Sequence, residues 1–118
     1  MAHRNRLSTS QFAAVFDRGF RHNHKWFTLR VLPVESDGER GSTGRVLWGF
    51  AVGKRLASSS VERNRLRRRL RAAVAGLESP CDAWVVVQLR ARGREASQSE
   101  LRSAIGRALQ AIGGPDAS

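Results

Sequence analysis

The chain has 118 residues, enough for one domain with a modest hydrophobic core. Its hydrophobic content of 41% is too high for a disordered chain, and its formal net charge of +11 predicts an anionic partner, with nucleic acid favoured over an anionic membrane. No apolar run approaches the roughly 18 residues of a membrane-spanning helix, and no apolar signal core follows the basic N-terminus. A single cysteine, Cys81, excludes an internal disulfide and a multi-cysteine zinc site, so a cytoplasmic protein is expected.

The first third of the chain predicts an arm and a helix. Residues 1–7 are polar and basic, and we expect a mobile arm. Ser8 or Ser10 can cap a helix over residues 9–18. Phe12, Val15 and Phe16 lie on one face of this helix. On spacing alone the two phenylalanines, at i and i+4, favour a core position over a ligand platform.

A basic turn and a strand are expected next. Residues 20–25 read as the turn, and its His22 and His24 are interpreted as solvated, because no cysteine or acid cluster completes a metal site with them. Residues 26–33 alternate as a strand should. One side of this strand carries Phe27, Leu29 and Val31, and the other carries Thr28, Arg30 and Leu32.

Residues 35–44 form a polar loop rich in glycine and serine, which we expect to be flexible. Its three acids could suggest a Mg²⁺ site, but a flexible acidic loop is far commoner than an all-protein Mg²⁺ cage. Residues 45–53 alternate again, between a bulky face suited to packing against helices and a slim face open to a backbone or nucleotide. The bulky face has Val46, Trp48, Phe50 and Val52, and the slim face has Leu47, Gly49, Ala51 and Gly53.

The stretch 58–77 predicts an amphipathic helix with an unusual polar face. Serines 58–60 offer N-cap oxygens, and an apolar stripe recurs every three or four residues. Like charges at i and i+4 each cost a few tenths of a kcal/mol, and Glu62 is the one acid among the arginines. The pattern therefore favours a polyanion-binding face over a merely solvated one. The stripe is Leu66, Leu70, Ala73, Val74 and Leu77; Arg63, Arg67 and Arg71 stack along another face, flanked by Arg65, Arg68 and Arg69.

Asn64 stands among these arginines and can both donate to and accept from a base edge or a 2′-hydroxyl. The alternative is an amide bonded locally on the helix surface. A DNA-binding helix is disfavoured, because a crowded arginine face contacts phosphates and offers few base-reading side chains besides Asn64.

The last third predicts a central strand and a closing helix. The apolar run 84–89 has the length and composition of a strand inside a sheet. Ser97 or Ser99 can cap a helix over residues 100–112, followed by a tail at 113–118. The element order helix, strand, strand, helix, strand, helix predicts a single α+β domain with a small mixed sheet.

Several of these stretches resemble one family. Arg63-Asn64-Arg65, an apolar residue and then Arg67-Arg68 resemble the RNR signature of the bacterial ribonuclease P protein subunit. Residues 49–55, ending in Lys54-Arg55, resemble the family's strand with its basic pair, and residues 4–19, 27–29 and 82–87 are similar to its opening helix and two further strands. Gln88 and Leu89 depart from the small and basic residues usual there, and the basic residues arrive instead at Arg90, Arg92 and Arg94.

The resemblance implies a single ribonuclease P protein domain over residues 1–118, an α/β sandwich with a left-handed strand–helix–strand crossover like that of a ribosomal-protein domain. General rules predict a right-handed one. It also implies a subunit of an endoribonuclease ribonucleoprotein, in which the catalytic RNA and its Mg²⁺ remove the 5′ leader of precursor tRNA. The partners would be that RNA and precursor tRNA, with no membrane and no small-molecule substrate.

The same resemblance assigns two sets of binding residues and no catalytic or metal-binding side chain. The sequence by itself also predicts no catalytic site, because the histidines and acids show no catalytic spacing. A basic ribosomal or other structural RNA-binding protein, without a role in tRNA processing, is the alternative. The RNA subunit would contact Arg63, Asn64, Arg65, Arg67, Arg68 and Arg71; the leader would contact Phe12, Phe16, Arg30, Lys54 and Arg55.

Overall fold

The computed structural model describes residues 6–34, 45–79 and 82–113. Residues 112 and 113 are described by their backbone alone. The predicted loop 35–44 and residues 114–118 of the predicted tail therefore lie outside the described residues. Of the predicted arm, the structure describes Arg6 and Leu7. The elements are α1 (Thr9–Arg18), β1 (Phe20–Asn23), β2 (Phe27–Pro33), β3 (Val46–Ala51), α2 (Ser60–Val74), β4 (Ala83–Leu89), a 3₁₀ turn (Ala91–Glu95) and α3 (Gln98–Gly113).

The described strands form one mixed sheet in the order β1-β2-β4-β3. β2 pairs antiparallel with β1 and β4, whereas β3 pairs parallel with β4, with Ala51 opposite Gln88. The apolar strand β4 thus lies inside the sheet, and the predicted α+β class and mixed sheet are confirmed. α2 connects the parallel strands β3 and β4. The hand of this connection stays a prediction from the resemblance.

The prediction of a turn over residues 20–25 is wrong, because residues 20–23 form strand β1. This strand pairs with β2 from Phe20 opposite Val31 to Asn23 opposite Thr28. It lies at the edge of the sheet, and most of its side chains are exposed, with Phe20 61% exposed. A short, polar edge strand carries no alternation of apolar residues, and its backbone pairing is visible only in the folded chain.

The sheet is covered by helices on both faces. α2 and α3 pack against the bulky side of β3 and the apolar side of β2, where Trp48 is 8% exposed and Leu29 fully buried. The predicted bulky face is therefore confirmed as core. α1 covers the other face and buries Val15. A Cβ at Gly49 would lie 2.9 Å from ring carbons of Phe12, so the slim face of β3 admits α1.

Serine caps begin all three described helices, and each agrees with a predicted alternative. Ser8 forms a capping box in α1, and Ser59 accepts a hydrogen bond from the third residue of α2. In α3, Ser97 and Glu100 exchange side-chain-to-backbone hydrogen bonds of 3.1 and 2.8 Å, which starts the helix two residues earlier than expected. Gly76, with φ of 78°, follows α2 and ends it.

Candidate nucleic-acid interface

The apolar stripe of α2 determines which way its arginines point. Leu66, Leu70, Ala73 and Val74 are buried against the sheet and α3. The remaining circumference faces away from the core, as predicted from the spacing. Among the described residues no arginine forms an ion pair with a carboxylate, so the positive charge of this face is not neutralised by that part of the chain.

Two of the α2 arginines bind the protein's own backbone. Arg63 Nη1 donates to the carbonyl oxygens of residues 57 and 58 at 2.9 and 3.0 Å. Arg69 Nη1 donates to the carbonyl oxygens of Arg94 and Ala96 at 2.9 and 3.4 Å. Arg63 thus connects α2 to the loop before it, and Arg69 connects α2 to the segment before α3. In both guanidiniums Nη1 already has a hydrogen-bond acceptor in the protein itself.

Three other arginines of α2 are exposed and available to a partner. Arg65 and Arg68 are exposed and make no hydrogen bond or ion pair with any residue that the structure describes. Arg71 is exposed as well, with its guanidinium carbon 5.6 Å from the centre of the Phe50 ring. The predicted face therefore contains three kinds of guanidinium. Arg63 and Arg69 bind backbone carbonyls, Arg67 and Arg71 contact a neighbouring side chain, and Arg65 and Arg68 have no partner among the described residues.

Asn64 lies on the same face and is bonded locally. Its Oδ1 accepts a 2.9 Å hydrogen bond from Arg67 Nη1, one turn further along the helix. The side-chain oxygen of Asn64 is therefore bonded locally, as the alternative prediction of a surface amide stated. Its role in base recognition stays a prediction, in which the Nδ2 group would be the donor.

A second candidate surface lies on the α1 side of the sheet, and we call Phe12, Phe16, Arg30 and Gln88 together the α1 surface. The two phenylalanine rings stack at 5.4 Å with an interplanar angle of 15°. The guanidinium carbon of Arg30 lies 4.3 Å from the centre of the Phe16 ring. Phe16 is 38% exposed, which leaves part of this stack open to solvent.

Gln88 belongs to this surface although the sequence marked it only as a departure from the family pattern. Its Oε1 accepts hydrogen bonds from Arg30 Nε and Nη2, both at 3.2 Å. This pair of bonds holds the guanidinium over Phe16. Residues 30 and 88 are too far apart in the chain for a local sequence pattern to reveal this pair. Finding it requires the pairing register of strands β2 and β4.

The remaining predicted leader residues follow the end of β3. Lys54 and Arg55 are exposed in the turn between β3 and α2. Because β3 and β4 are parallel and Ala51 lies opposite Gln88, this turn leaves the sheet at the end where Gln88 of the α1 surface lies. The structure therefore brings the basic turn to the end of the sheet at which Gln88, the residue that holds Arg30, is located.

The arginines after β4 have mixed roles. Arg90 Nη1 donates to the carbonyl oxygen of His24 at 3.1 Å, and Arg94 Nη1 to that of Leu56 at 2.9 Å. Arg92 is exposed and makes no hydrogen bond within the described chain. Two of these three guanidiniums thus connect loops, which sequence spacing did not predict.

His24 is not the freely solvated loop residue that was expected. Its ring stacks on Phe27 at 4.5 Å with an interplanar angle of 7°, and its Nδ1 accepts a 3.1 Å hydrogen bond from the backbone N–H of Trp26. Burial, followed by the nearby charges of Lys25 and His22, lowers the pKa of His24 below its usual 6.5. The lowered pKa and the acceptor role of Nδ1 both favour the neutral imidazole.

No three histidine, cysteine, aspartate or glutamate side chains come together to hold a metal ion within the described ranges. The acids of the loop 35–44 lie outside those ranges. In the same part of the chain, no helix is both long enough and apolar enough to cross a bilayer.

A cleft at the outer edge of β3 lies between the two candidate surfaces. Its volume is about 790 Å³, and we call it the β3-edge cleft. Phe12 of the α1 surface lines one side, and Arg67 and Arg71 of α2 line the other. The two predicted sets of residues, which belong to opposite faces of the sheet, therefore approach each other around this edge.

Comparison with known proteins agrees with these features. A family model described as Ribonuclease P matches residues 1–113. The chain belongs to the ribonuclease P protein family. It is 36% identical over 97 residues to the ribonuclease P protein component of Shouchella clausii, covering 80% of this chain and 74% of that protein. The corresponding protein of Chloroflexus aggregans is 41% identical over 75 residues, which are 63% of this chain and half of the relative.

Solved structures of the family have the same fold. The ribonuclease P protein of Thermotoga maritima superposes with a TM-score of 0.71 at 20% identity, covering 94% of this chain and all of that one. The Staphylococcus aureus protein gives 0.66 at 14% identity, with 89% and 92% covered. At such identities the likeness demonstrates the shared fold, and the contacts of individual residues with RNA stay predictions.

Proposed function

We propose that this protein is the subunit of ribonuclease P that binds the catalytic RNA through α2 and the 5′ leader of precursor tRNA along the α1 surface. In this role it promotes the Mg²⁺-dependent endonucleolytic removal of the leader. The observation that carries the proposal is the arginine face of α2, whose exposed guanidiniums have no carboxylate partner among the described residues. Such a face is costly in an isolated protein and favourable against a polyanion.

The chemistry of arginine suits an RNA partner on α2. The planar guanidinium donates to phosphate oxygens in pairs and stacks on bases, and each phosphate that it neutralises releases counterion. Arg65 and Arg68 would make such contacts without first breaking a bond to their own chain. Arg63, Arg67 and Arg71 would add to them from the neighbouring helical positions.

The α1 surface suits a single-stranded leader. Unpaired bases are bound chiefly by stacking on aromatic rings and on guanidinium planes. Phe16 is partly exposed, and Arg30 is held beside it by Gln88. Lys54 and Arg55 would contact the leader's phosphates near the end of the sheet at which Gln88 lies.

The proposal gives the protein no catalytic side chain. An all-protein Mg²⁺ site finds no fit among the described residues, since no three suitable ligands converge there. In this proposal the Mg²⁺ ions belong to the RNA subunit. With precursor tRNA as its substrate, the assembled enzyme would work in the cytoplasm.

Reconstitution tests the proposal. The purified protein is mixed with a bacterial ribonuclease P RNA and a radiolabelled precursor tRNA at a Mg²⁺ concentration too low for the RNA alone. We expect cleavage at the 5′ end of the mature sequence only when both subunits are present. Tight RNA binding without stimulated cleavage, by a protein with an intact melting transition, would instead support a structural RNA-binding protein.

A further inference from the structure

Beyond Trp48, the outer edge of β3 exposes a peptide group to the β3-edge cleft. Arg6 pairs with Trp48 in a parallel bridge, and Leu7 N donates to Trp48 O at 3.2 Å. Alternate residues of a strand direct their backbone groups to the same edge, so Phe50 presents its N–H and C=O on the side that Trp48 uses. The chain after Leu7 turns into α1 at Thr9, and no described residue hydrogen-bonds to these groups of Phe50.

Cations line this cleft without acids. Arg6, Arg67 and Arg71 are among its lining residues, and none of the described side chains that line it is acidic. Arg67 and Arg71 are one helical turn apart, about 6 Å along the axis of α2, a separation similar to that of successive phosphates in an extended strand. The charge of the cleft therefore favours an anionic occupant that carries more than one phosphate.

Aromatic rings complete the cleft. Phe50 is half-buried, its ring lies parallel to that of Trp48 at 6.3 Å, and Arg71 lies over it at 5.6 Å. A volume of about 790 Å³ is within the range of ligand sites. A half-buried ring for stacking, a peptide donor and acceptor with no partner among the described residues, and adjacent guanidiniums for phosphates are the groups that recognise an unpaired nucleotide.

We propose that the β3-edge cleft binds an unpaired nucleotide of the same RNA that α2 contacts, with the base at Phe50 and the flanking phosphates at Arg67 and Arg71. This inference rests on the proposed function and adds a defined nucleotide site to it. An added peptide strand is the less favourable occupant, because Arg6 and Leu7 already take the Trp48 position of the edge and the walls are cationic.

Chemical probing of the RNA subunit at nucleotide resolution tests this site. The full chain, an Arg71→Gln variant and a Phe50→Leu variant are each bound to a bacterial ribonuclease P RNA at saturating protein and treated with a reagent that modifies flexible nucleotides. We expect the wild type to protect one short unpaired segment and both variants to raise its reactivity about fivefold or more, since stacking contributes about 1–3 kcal/mol per base. Protections elsewhere should persist.

Matched controls separate this site from general effects. Arg107→Gln removes an exposed charge on α3, and Phe20→Leu changes an exposed ring on β1. Both should leave every protection unchanged. Arg71→Gln alters an exposed side chain, so its result stands even if Phe50→Leu lowers the melting temperature.

Two negative outcomes have different meanings. If the wild type protects the RNA and stimulates 5′ cleavage, but Arg71→Gln leaves all protections as they were, the nucleotide site is refuted and the proposed function stands. If the wild type gives neither protection nor stimulation, the proposed function fails and the inference fails with it.

Discussion

The arginine face of α2 and the α1 surface lie on opposite sides of one sheet and differ in how their charges are held. On α2, Arg65 and Arg68 have no partner in the described chain. On the α1 surface, Arg30 is fixed by Gln88 and lies on Phe16. The first arrangement suits binding through charge, with an affinity that depends on salt. The second suits stacking, which depends on salt far less.

The same difference exists within α2. Arg68 and Arg69 are adjacent in the sequence, yet Arg69 donates to two backbone carbonyls while Arg68 has no described partner. Identical residue types on one helix thus divide between holding the fold and binding a partner. Substitutions at these positions would separate the two contributions.

Replacing both Arg65 and Arg68 by alanine should have the largest effect on RNA binding. We expect the affinity for the RNA subunit to fall about 10- to 100-fold and the slope of log K against log salt to decrease by about 0.7–0.9 for each phosphate that the variant no longer neutralises. Titrations at several salt concentrations measure both quantities.

The control for this pair is Arg18→Ala with Arg107→Ala, which removes the same charge from exposed positions on α1 and α3. Its salt slope should stay close to that of the wild type. Equal losses in the two double variants would mean that RNA binding follows net charge and that α2 has no special part in it.

Phe16→Ala should act on the leader alone. Loss of one stacking ring should weaken precursor tRNA about 5- to 30-fold in the assembled enzyme, with mature tRNA and the salt slope little changed. Equilibrium binding of the two tRNAs measures the ratio. Phe20→Ala is the control. Phe20 is even more exposed than Phe16, and it shares with its cross-strand partner Val31 the face of the sheet that lies away from the α1 surface. Equal weakening of both tRNAs would favour a packing role for Phe16.

The smallest effect on binding is expected for Arg69→Ala, which should change stability instead. Its loss removes the hydrogen bonds from α2 to the segment before α3 and should lower the free energy of unfolding by about 1–2 kcal/mol. Urea denaturation measures this value. The neighbouring Arg68→Ala should change it by less than about 0.5 kcal/mol. Similar destabilisation by both variants would contradict the division of roles between these two arginines.

Sequence patterns predicted the parts of this molecule that depend on local order. The serine cap of α1, the buried stripe of α2 and the interior position of β4 each follow from spacing within a single element. The strand β1 escaped prediction because an edge strand needs only half of its backbone groups paired and few apolar side chains. Its existence depends on β2.

The sequence by itself determined that the chain forms one α+β domain with an arginine-rich helix, and its motifs determined the family. Only the tertiary structure decided which guanidiniums are engaged, that Gln88 holds Arg30, and that Phe50, Arg67 and Arg71 meet at one strand edge. The physical reason is that helix and strand periodicity is a property of neighbouring residues. Hydrogen bonds between residues 30 and 88, or 69 and 96, exist only after the sheet and helices have packed.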